Sequence, residues 1–292
     1  MTKSKRKNRK RRFRIIRFIL IILVLLIGFL FFDSYFRIVT TEYELRHKNL
    51  PASFDGFRIV VLSDIHAAEF GKDNERLLRL VRDAKPDIIA IIGDFTDKYY
   101  KKVTLERQLE IAESLTKNLL IIAPVYYVTG NHEWDSDGLW PLLSMLEENG
   151  VRILRNKYSS LESGKDTIIL AGTEDPNGPA DMIKPKEFIG NIFNAEGDCF
   201  IVLLEHRNRN PELYSELGVD VVLCGHAHGG MIRLPFTDGL IGPAMDWLPE
   251  YTNGLYTIGE TSMVVSRGIG NHTGWPRFLN NPHIPVVILR KG

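Results

Sequence analysis

Arg58-Ile-Val-Val-Leu-Ser-Asp-Ile-His66 is the stretch on which the fold turns. A β-branched apolar run ends there in a carboxylate and an imidazole two residues apart, which project to the same side of an extended chain. The same plan recurs downstream. Asp87–Ile92, nearly all apolar as in a strand buried on both faces, runs into Gly93-Asp94-Phe95-Thr96-Asp97. Val125–Thr129 ends in Gly130-Asn131-His132-Glu133. Phe200–Leu204 precedes Glu205-His206-Arg207, and Val219–Cys224 precedes Gly225-His226-Ala227-His228-Gly229-Gly230.

Helical spacing fills the intervals at Asn74–Ala84, Leu105–Asn118, Leu139–Asn149 and Pro211–Leu217. Further strands are expected at Thr167–Ala171, Leu255–Ile258, Met263–Ser266 and Val286–Leu289. Strand–helix alternation followed by a strand-rich last third gives an α/β fold of two packed mixed sheets flanked by helices, a four-layer α/β/β/α sandwich. Ligands at the carboxyl ends of strands sit where open α/β folds place their sites.

Each motif alone is weak, since Asp-x-His is common in surface turns and a single histidine is often a hydrogen-bonded core residue. Jointly they say more. Five strand ends deliver Asp, Asn and His and almost nothing else that titrates, and burying paired imidazoles is costly unless something binds them. Oxygen and imidazole donors without thiolate suit Mn, Zn or Fe, and about eight donors imply two ions. Cys199 and Cys224 match no metal or disulfide spacing and read as core residues.

The chain has 292 residues, 44% of them hydrophobic and 25% charged, which excludes disordered and collagen-like architectures. The net charge of +1 hides an asymmetry. Ten of the 37 basic residues fall between Lys3 and Arg17, leaving 27 against 36 acidic residues, a body of −9. An acidic body is poorly suited to a nucleic-acid backbone, so no nucleic-acid partner is expected.

After the basic head, Phe18–Phe32 carries no charge, and flanking residues extend the usable span to about twenty, enough to cross a bilayer. A cleaved signal peptide shares this plan. Here Phe32 is followed by Asp33-Ser34-Tyr35-Phe36-Arg37, which has no small-x-small cleavage site. The surroundings of Arg11-Arg12 fit a twin-arginine signal poorly, and core helices rarely begin with ten positive charges. The expected plan is a basic cytoplasmic tail (1–14), a transmembrane anchor (15–36), a spacer with one strand near Arg37–Leu45 (37–55), and a domain outside the membrane (56–292).

From about Asp55 to Leu289 the sequence resembles the calcineurin-like metallophosphoesterases, with Asp-x-His, Gly-Asp-x-x-Asp, Gly-Asn-His-Glu, a lone His and Gly-His-x-His in order. It is most similar to a membrane-associated bacterial branch that begins like Phe54-Asp55-Gly56-Phe57-Arg58-Ile59. That branch later carries elements like Val265-Ser266-Arg267-Gly268-Ile269-Gly270 and Pro276-Arg277-Phe278. The resemblance implies that Asp64, His66 and His228 bind one divalent metal and Asn131, His206 and His226 a second, with Asp94 bridging. A metal-bridging hydroxide would be the nucleophile, and His132, holding no metal, would protonate the leaving oxygen. Glu133 is either the partner that orients the His132 ring or a solvated charge, and Asp97 is expected to support its turn. Met231 stands where relatives often have Gln. The Glu205–Pro211 loop places its Pro late, and Pro282-His283-Ile284 replaces the usual Pro-Glu-Ile.

The activity so implied is two-metal hydrolysis of phosphodiester or pyrophosphate bonds on a lipid or cell-envelope phosphoester. The alternatives are a phosphomonoesterase and a catalytically silent metal-binding surface module, whose mark would be a lost ligand. A calcineurin-type protein phosphatase is disfavoured because Lys98-Tyr99, rather than Arg-Gly, follows Asp97. The apolar stretch Leu234–Tyr251 is expected as a flap packed on the sheet, with a lipid-facing lip as the other reading. Gly270-Asn271-His272 reads as a rim loop.

Overall fold

The computed structural model describes residues 3–98, 103–234, 237–243, 245–271 and 276–292, the side chains of 3–9 excepted. His272, Phe236 and Tyr99 lie outside the described residues. Strand β1 (Val39–His47) is the edge of the first sheet, followed in space by β12 (His283–Lys291), β2 (Arg58–Leu62), β3 (Ile88–Ile92), β4 (Val125–Val128) and β5 (Arg152–Ile153). The second sheet runs β10 (Gly254–Ile258), β11 (Thr261–Val265), β9 (Val221–Cys224), β8 (Ile201–Leu204), β7 (Asp166–Gly172) and β6 (Lys157–Ser163). Both are mixed: β12 runs antiparallel to β2, and β10 and β6 run antiparallel to their neighbours.

The pleat of each strand divides the core. Ile59, Val61, Ile88, Ala90 and Ile92 face Leu170, Val202, Leu204, Val221 and Leu223 between the sheets. Their alternates Val60, Leu62, Ile89 and Ile91 face α2 (Glu75–Asp83), α3 (Leu105–Leu120) and α5 (Leu139–Glu148) on the outer side, the single turn α4 (Asn131–Trp134) preceding α5 in the chain. Beyond the second sheet, Ile169, Ile201, Leu203 and Val222 meet α6 (Pro185–Glu196) and α7 (Pro211–Glu216). The four layers are those expected. Helix α3 starts at Thr104, whose hydroxyl accepts the Arg107 N–H at 3.3 Å.

Three differences from the sequence reading have local causes. The strand assigned to a spacer is β1, paired in parallel with β12 over its whole length, and His47 at its end lies 3.0 Å from Ser262 of the second sheet. That segment is therefore part of the sandwich. Strand β6 was not expected because its polar edge carries little hydrophobic pattern, and α6 because Gly190 interrupts its run of Phe188, Ile189 and Ile192. Cys224 is buried in the core, and the half-buried Cys199 packs against it, as expected.

Helix α1 (Lys3–Phe36) is continuous through the basic head. From Lys10 to Phe36 it is long and apolar enough to cross a membrane, and its Ile, Leu and Phe side chains are exposed on every face. Its carboxyl end touches the body. The Phe31 and Phe278 rings are 4.8 Å apart, and Asn281 donates to the Asp33 carbonyl at 2.7 Å. Arg76 donates to the Phe36 carbonyl at 2.5 Å.

Candidate functional site

Strands β2, β3, β4, β8 and β9 all release the chain at one end of the sandwich, and the first residues after them fall together. His66 Nε2 lies 3.2 Å from His228 Nε2, which lies 3.5 Å from Asp64 Oδ1. His206 Nε2 lies 3.3 Å from Asp94 Oδ2, 3.2 Å from Asn131 Oδ1 and 3.2 Å from His226 Nδ1. Asp94 Oδ2 is also 3.9 Å from His66 Nε2, linking the two groups. All seven residues expected to hold metal are thus brought together.

The backbone is bent to achieve this. Asp64, His66, Asp94, His226 and His228 all have φ between 47° and 64°, a region L-residues rarely occupy. Such strain persists where surrounding structure over-determines it, and it gathers at functional sites. Close approach demands glycine beside these residues. A Cβ on Gly93 (φ +67°) would lie 2.6 Å from both the Gly130 nitrogen and the His206 ring, and one on Gly225 would lie 2.6 Å from Asp64.

Electrostatics follow from burial and pairing. Burial raises the Asp64 carboxyl to about 6, the Asp94 charge adding to it and His206 opposing. Burial also opposes ionisation of Asp94, but His206, His132 and His66 outweigh it and hold that carboxyl well below its usual range. Burial lowers His206, yet Asp94 and Asp64 reverse this and lift it to about 10. His226 and His228 are pushed well below the usual imidazole value, by burial first and then by His206 and His66 respectively.

The donor set fits divalent cations. Three groups (Asp64, His66 and His228; His66, Asp94 and His132; Asp94, His206 and His226) each keep their donor atoms within 4.8 Å of one another. Ring nitrogens facing each other at 3.2 Å repel as lone pairs and are reconciled by a cation or proton between them. The set is oxygen and imidazole throughout.

His132 stands at the edge of the cluster, its Nε2 3.9 Å from Asp94 Oδ2. Its Nδ1 lies 3.1 Å from Asp97 Oδ1, so Asp97 orients the ring. Glu133 does something else. It is fully buried and accepts the N–H groups of Asp94 (2.9 Å), Thr96 (3.1 Å) and Gly130 (2.8 Å), tying together the turns after β3 and β4. The expected roles of Glu133 and Asp97 are therefore corrected: a carboxylate filled by backbone donors is neither a ring partner nor a solvated charge. Burial first, and then the Asp94 charge, raises Glu133 to about 7.

A cleft of about 340 Å³ opens over the cluster, floored by Asp94, Asn131, His132, His226, His228 and Met231 and rimmed by Lys98, Asn177, Arg207 and Arg209 with the carboxylate of Asp135, which pairs with Lys98 at 2.6 Å. The rim cations were missed by the sequence reading. Arg207 directly follows His206 and Arg209 comes two residues later, so a basic pair after a ligand-type histidine was the available signal. Arg207 is fixed by a two-pronged pair with Asp175 at 2.9 and 3.1 Å. Despite the late Pro in its loop, His206 is well anchored, its Nδ1 3.0 Å from the Ile92 carbonyl.

Behind His228 lies Arg277, fully buried, donating to the carbonyls of Arg267 (2.9 Å) and Gly270 (2.5 Å), with Nη2 3.5 Å from His228 Nδ1. Burial lowers its guanidinium to about 10. Asn280 donates to the carbonyls of His228 (2.7 Å) and Met231 (2.9 Å) and so fixes the turn between them. His283 is buried, and its Nδ1 accepts the Arg267 N–H at 3.4 Å. Of the flap, Leu240 and Ile241 are half-buried and Tyr251 packs on the core beside the second sheet, but Met245, Trp247 and Leu248 are exposed, so the packed reading fails at the tip.

The profile of the calcineurin-like phosphoesterases matches residues 57–230. The metallophosphoesterase YkuE of Bacillus subtilis (strain 168) is 30% identical over 258 residues, 87% of this chain and 86% of that protein. A Danio rerio protein described as a transmembrane protein with metallophosphoesterase domain is 27% identical over 86% of this chain and 57% of its own length. The phosphodiesterase YaeI of Escherichia coli (strain K12) is 26% identical over 75% of this chain and 77% of its own.

Proposed function

The chain belongs to the calcineurin-like phosphoesterase family, and from that premise we propose a membrane-anchored hydrolase of phosphodiester or pyrophosphate bonds that works with two divalent ions. The observation that carries this reading is the meeting of the donor groups around Asp94 Oδ2, with no expected donor missing. Asp64, His66 and His228 would hold one ion, Asn131, His206 and His226 the other, and Asp94 both. Bound divalent ions supply charge to a phosphoryl group's oxygens and make water acidic enough to attack near neutral pH.

The chain's own residues do the rest. At the rim Lys98 is paired with Asp135 at 2.6 Å and Arg207 with Asp175, and the exposed Arg209 draws the anion into the cleft. Asp97 steers the His132 ring so that Nε2 faces the cluster, where it gives a proton to the leaving oxygen. A diester or pyrophosphate substrate is favoured because no Arg follows Asp97 to clamp a monoester, and the E. coli relative is named a phosphodiesterase. The exposed apolar helix α1 argues for an anchor, and its ten basic residues for a cytoplasmic head with the body outside.

The test is turnover of bis-p-nitrophenyl phosphate against p-nitrophenyl phosphate, with Mn, Zn and Fe returned singly to chelated protein. Diester hydrolysis restored by metal is expected. Preference for the monoester would make it a phosphomonoesterase, and metal uptake without turnover a silent module. Protease added to intact cells should degrade the body; degradation only after lysis would reverse the topology.

A further inference from the structure

We propose that the exposed flap residues Met245, Trp247 and Leu248 form a lip that enters the membrane leaflet holding the end of α1, so that the cleft takes its phosphoester from the lipid surface. This deepens the phosphoesterase reading above and rests on it. The lip is apolar where a water-facing loop should not be. Met245, Trp247 and Leu248 are 61%, 72% and 66% exposed within four residues, with Asp246 between the first two, and Leu234 is 44% exposed at the start of the flap. Ile241 pairs with Trp247, and the Gly242 N–H donates to the Asp246 carbonyl at 2.9 Å. Clustered exposed apolar side chains of this kind mark interaction surfaces.

Contacts with α1 fix where the lip stands. Phe31, in the apolar stretch of that helix, packs on Phe278 at 4.8 Å between ring centres. Phe278 in turn pairs with Ile232, and its carbonyl accepts the Arg233 N–H at 2.9 Å, immediately before Leu234. The root of the lip is therefore one side chain away from a helix whose own apolar surface requires lipid.

The same segment reaches the site. Asn281 holds the Asp33 carbonyl at 2.7 Å, while its neighbour Asn280 holds the carbonyl of His228 at 2.7 Å. Two adjacent asparagines thus separate the end of α1 from the donor cluster. Pro243, within the flap, lines the cleft itself. An independent feature marks the same level. A groove of about 450 Å³ is lined by Phe29, Phe32 and Phe36 of α1 and by Arg76 and Arg79 of α2, with the one carboxylate of its lining, Asp33, paired to Arg37 at 2.6 Å. Rings beside arginines complement acyl chains and anionic headgroups. Continuity with α1 makes the occupant the bilayer, rather than a second copy or a protein partner.

The experiment uses the full chain in phosphatidylcholine–phosphatidylglycerol vesicles, with and without brominated phosphatidylcholine. Fluorescence is read as the difference between the wild type and Trp247→Phe. Bromine should quench the Trp247 contribution, and an unquenched contribution overturns the proposal. A second arm compares hexadecyl p-nitrophenyl phosphate in the vesicles with bis-p-nitrophenyl phosphate in water. The triple change Met245→Ser, Trp247→Ser, Leu248→Ser should slow the vesicle ester about tenfold or more and leave the soluble ester unchanged. Equal slowing of both esters, or of neither, overturns the lipid-loading role, and soluble turnover shows that the variant is folded. If the wild type hydrolyses neither ester while Trp247 is quenched, the phosphoesterase reading fails and the membrane contact of the lip stands.

Discussion

At the floor of the cleft Asp64, Asp94, His206 and His228 are 0–3% exposed, and every one lies within hydrogen-bond or ion-pair reach of another polar group. On the lip Met245, Trp247 and Leu248 are 61–72% exposed. Buried polar groups must be matched atom by atom, because an unmatched one costs its full desolvation. Exposed apolar groups need only an apolar phase, and their contribution scales with area. Single changes at the floor should therefore be all-or-none and those at the rim graded.

The largest effect should come from Asp94→Asn. The change keeps the side chain's shape but removes the charge that meets both donor groups. Activity should vanish and metal content fall for both ions, as read by elemental analysis of the purified variant. Two metals retained per chain would show that Asp94 does not join the groups.

Next is His132→Ala, which removes a floor residue that is no proposed ligand. Metals and fold should remain, with a loss of roughly 10²–10⁴-fold on an alkyl ester. The defect should shrink on a p-nitrophenyl ester, whose leaving group departs almost unaided. Equal defects would make His132 a phosphate-positioning group, and loss of metal would make it a ligand.

The same division explains what could be read from the sequence. The floor was legible because the residues that converge also abut apolar strands: Asp64 and His66 follow Ile59–Leu62, and Asp94 follows Ile88–Ile92. Strand ends fix position, so local sequence predicts a three-dimensional cluster. The roles of Asp97 and Glu133 were not legible, because they depend on which way two turns fold back. Glu133 accepts N–H groups 37 and 39 residues away, and no spacing rule reports that. The two readings of Leu234–Tyr251 had the same composition, and only exposure separated them. Strand β6 and helix α6, with weak apolar patterns, form because the second sheet needs an edge and a cover.

Glu133→Gln tests whether the floor depends on its brace. One amide oxygen cannot accept what two carboxylate oxygens now accept, so at least one buried N–H would face an NH₂ group. A stability loss of about 1–3 kcal/mol is expected in thermal unfolding, with activity falling as the two turns loosen. An unchanged Tm would remove Glu133 from the architecture of the site.

The smallest effect should be that of Arg209→Ala, and its contrast with Arg207 is informative. Arg209 is exposed and lines both the cleft and a neighbouring cavity of about 390 Å³. Arg207 has the buried Asp175 to compensate, so its removal would strand a charge and lower stability. Among the described residues Arg209 has no such partner, and it acts as a screened surface cation, contributing up to about 1 kcal/mol. Its loss should raise KM about two- to fivefold with kcat unchanged, and the difference should fade as salt shortens the reach of the charge. If Arg209→Ala instead lowers kcat at saturating substrate, independently of salt, then that side chain reaches the reacting group. The boundary between matched floor and graded rim would then lie further out than Lys98 and Arg207.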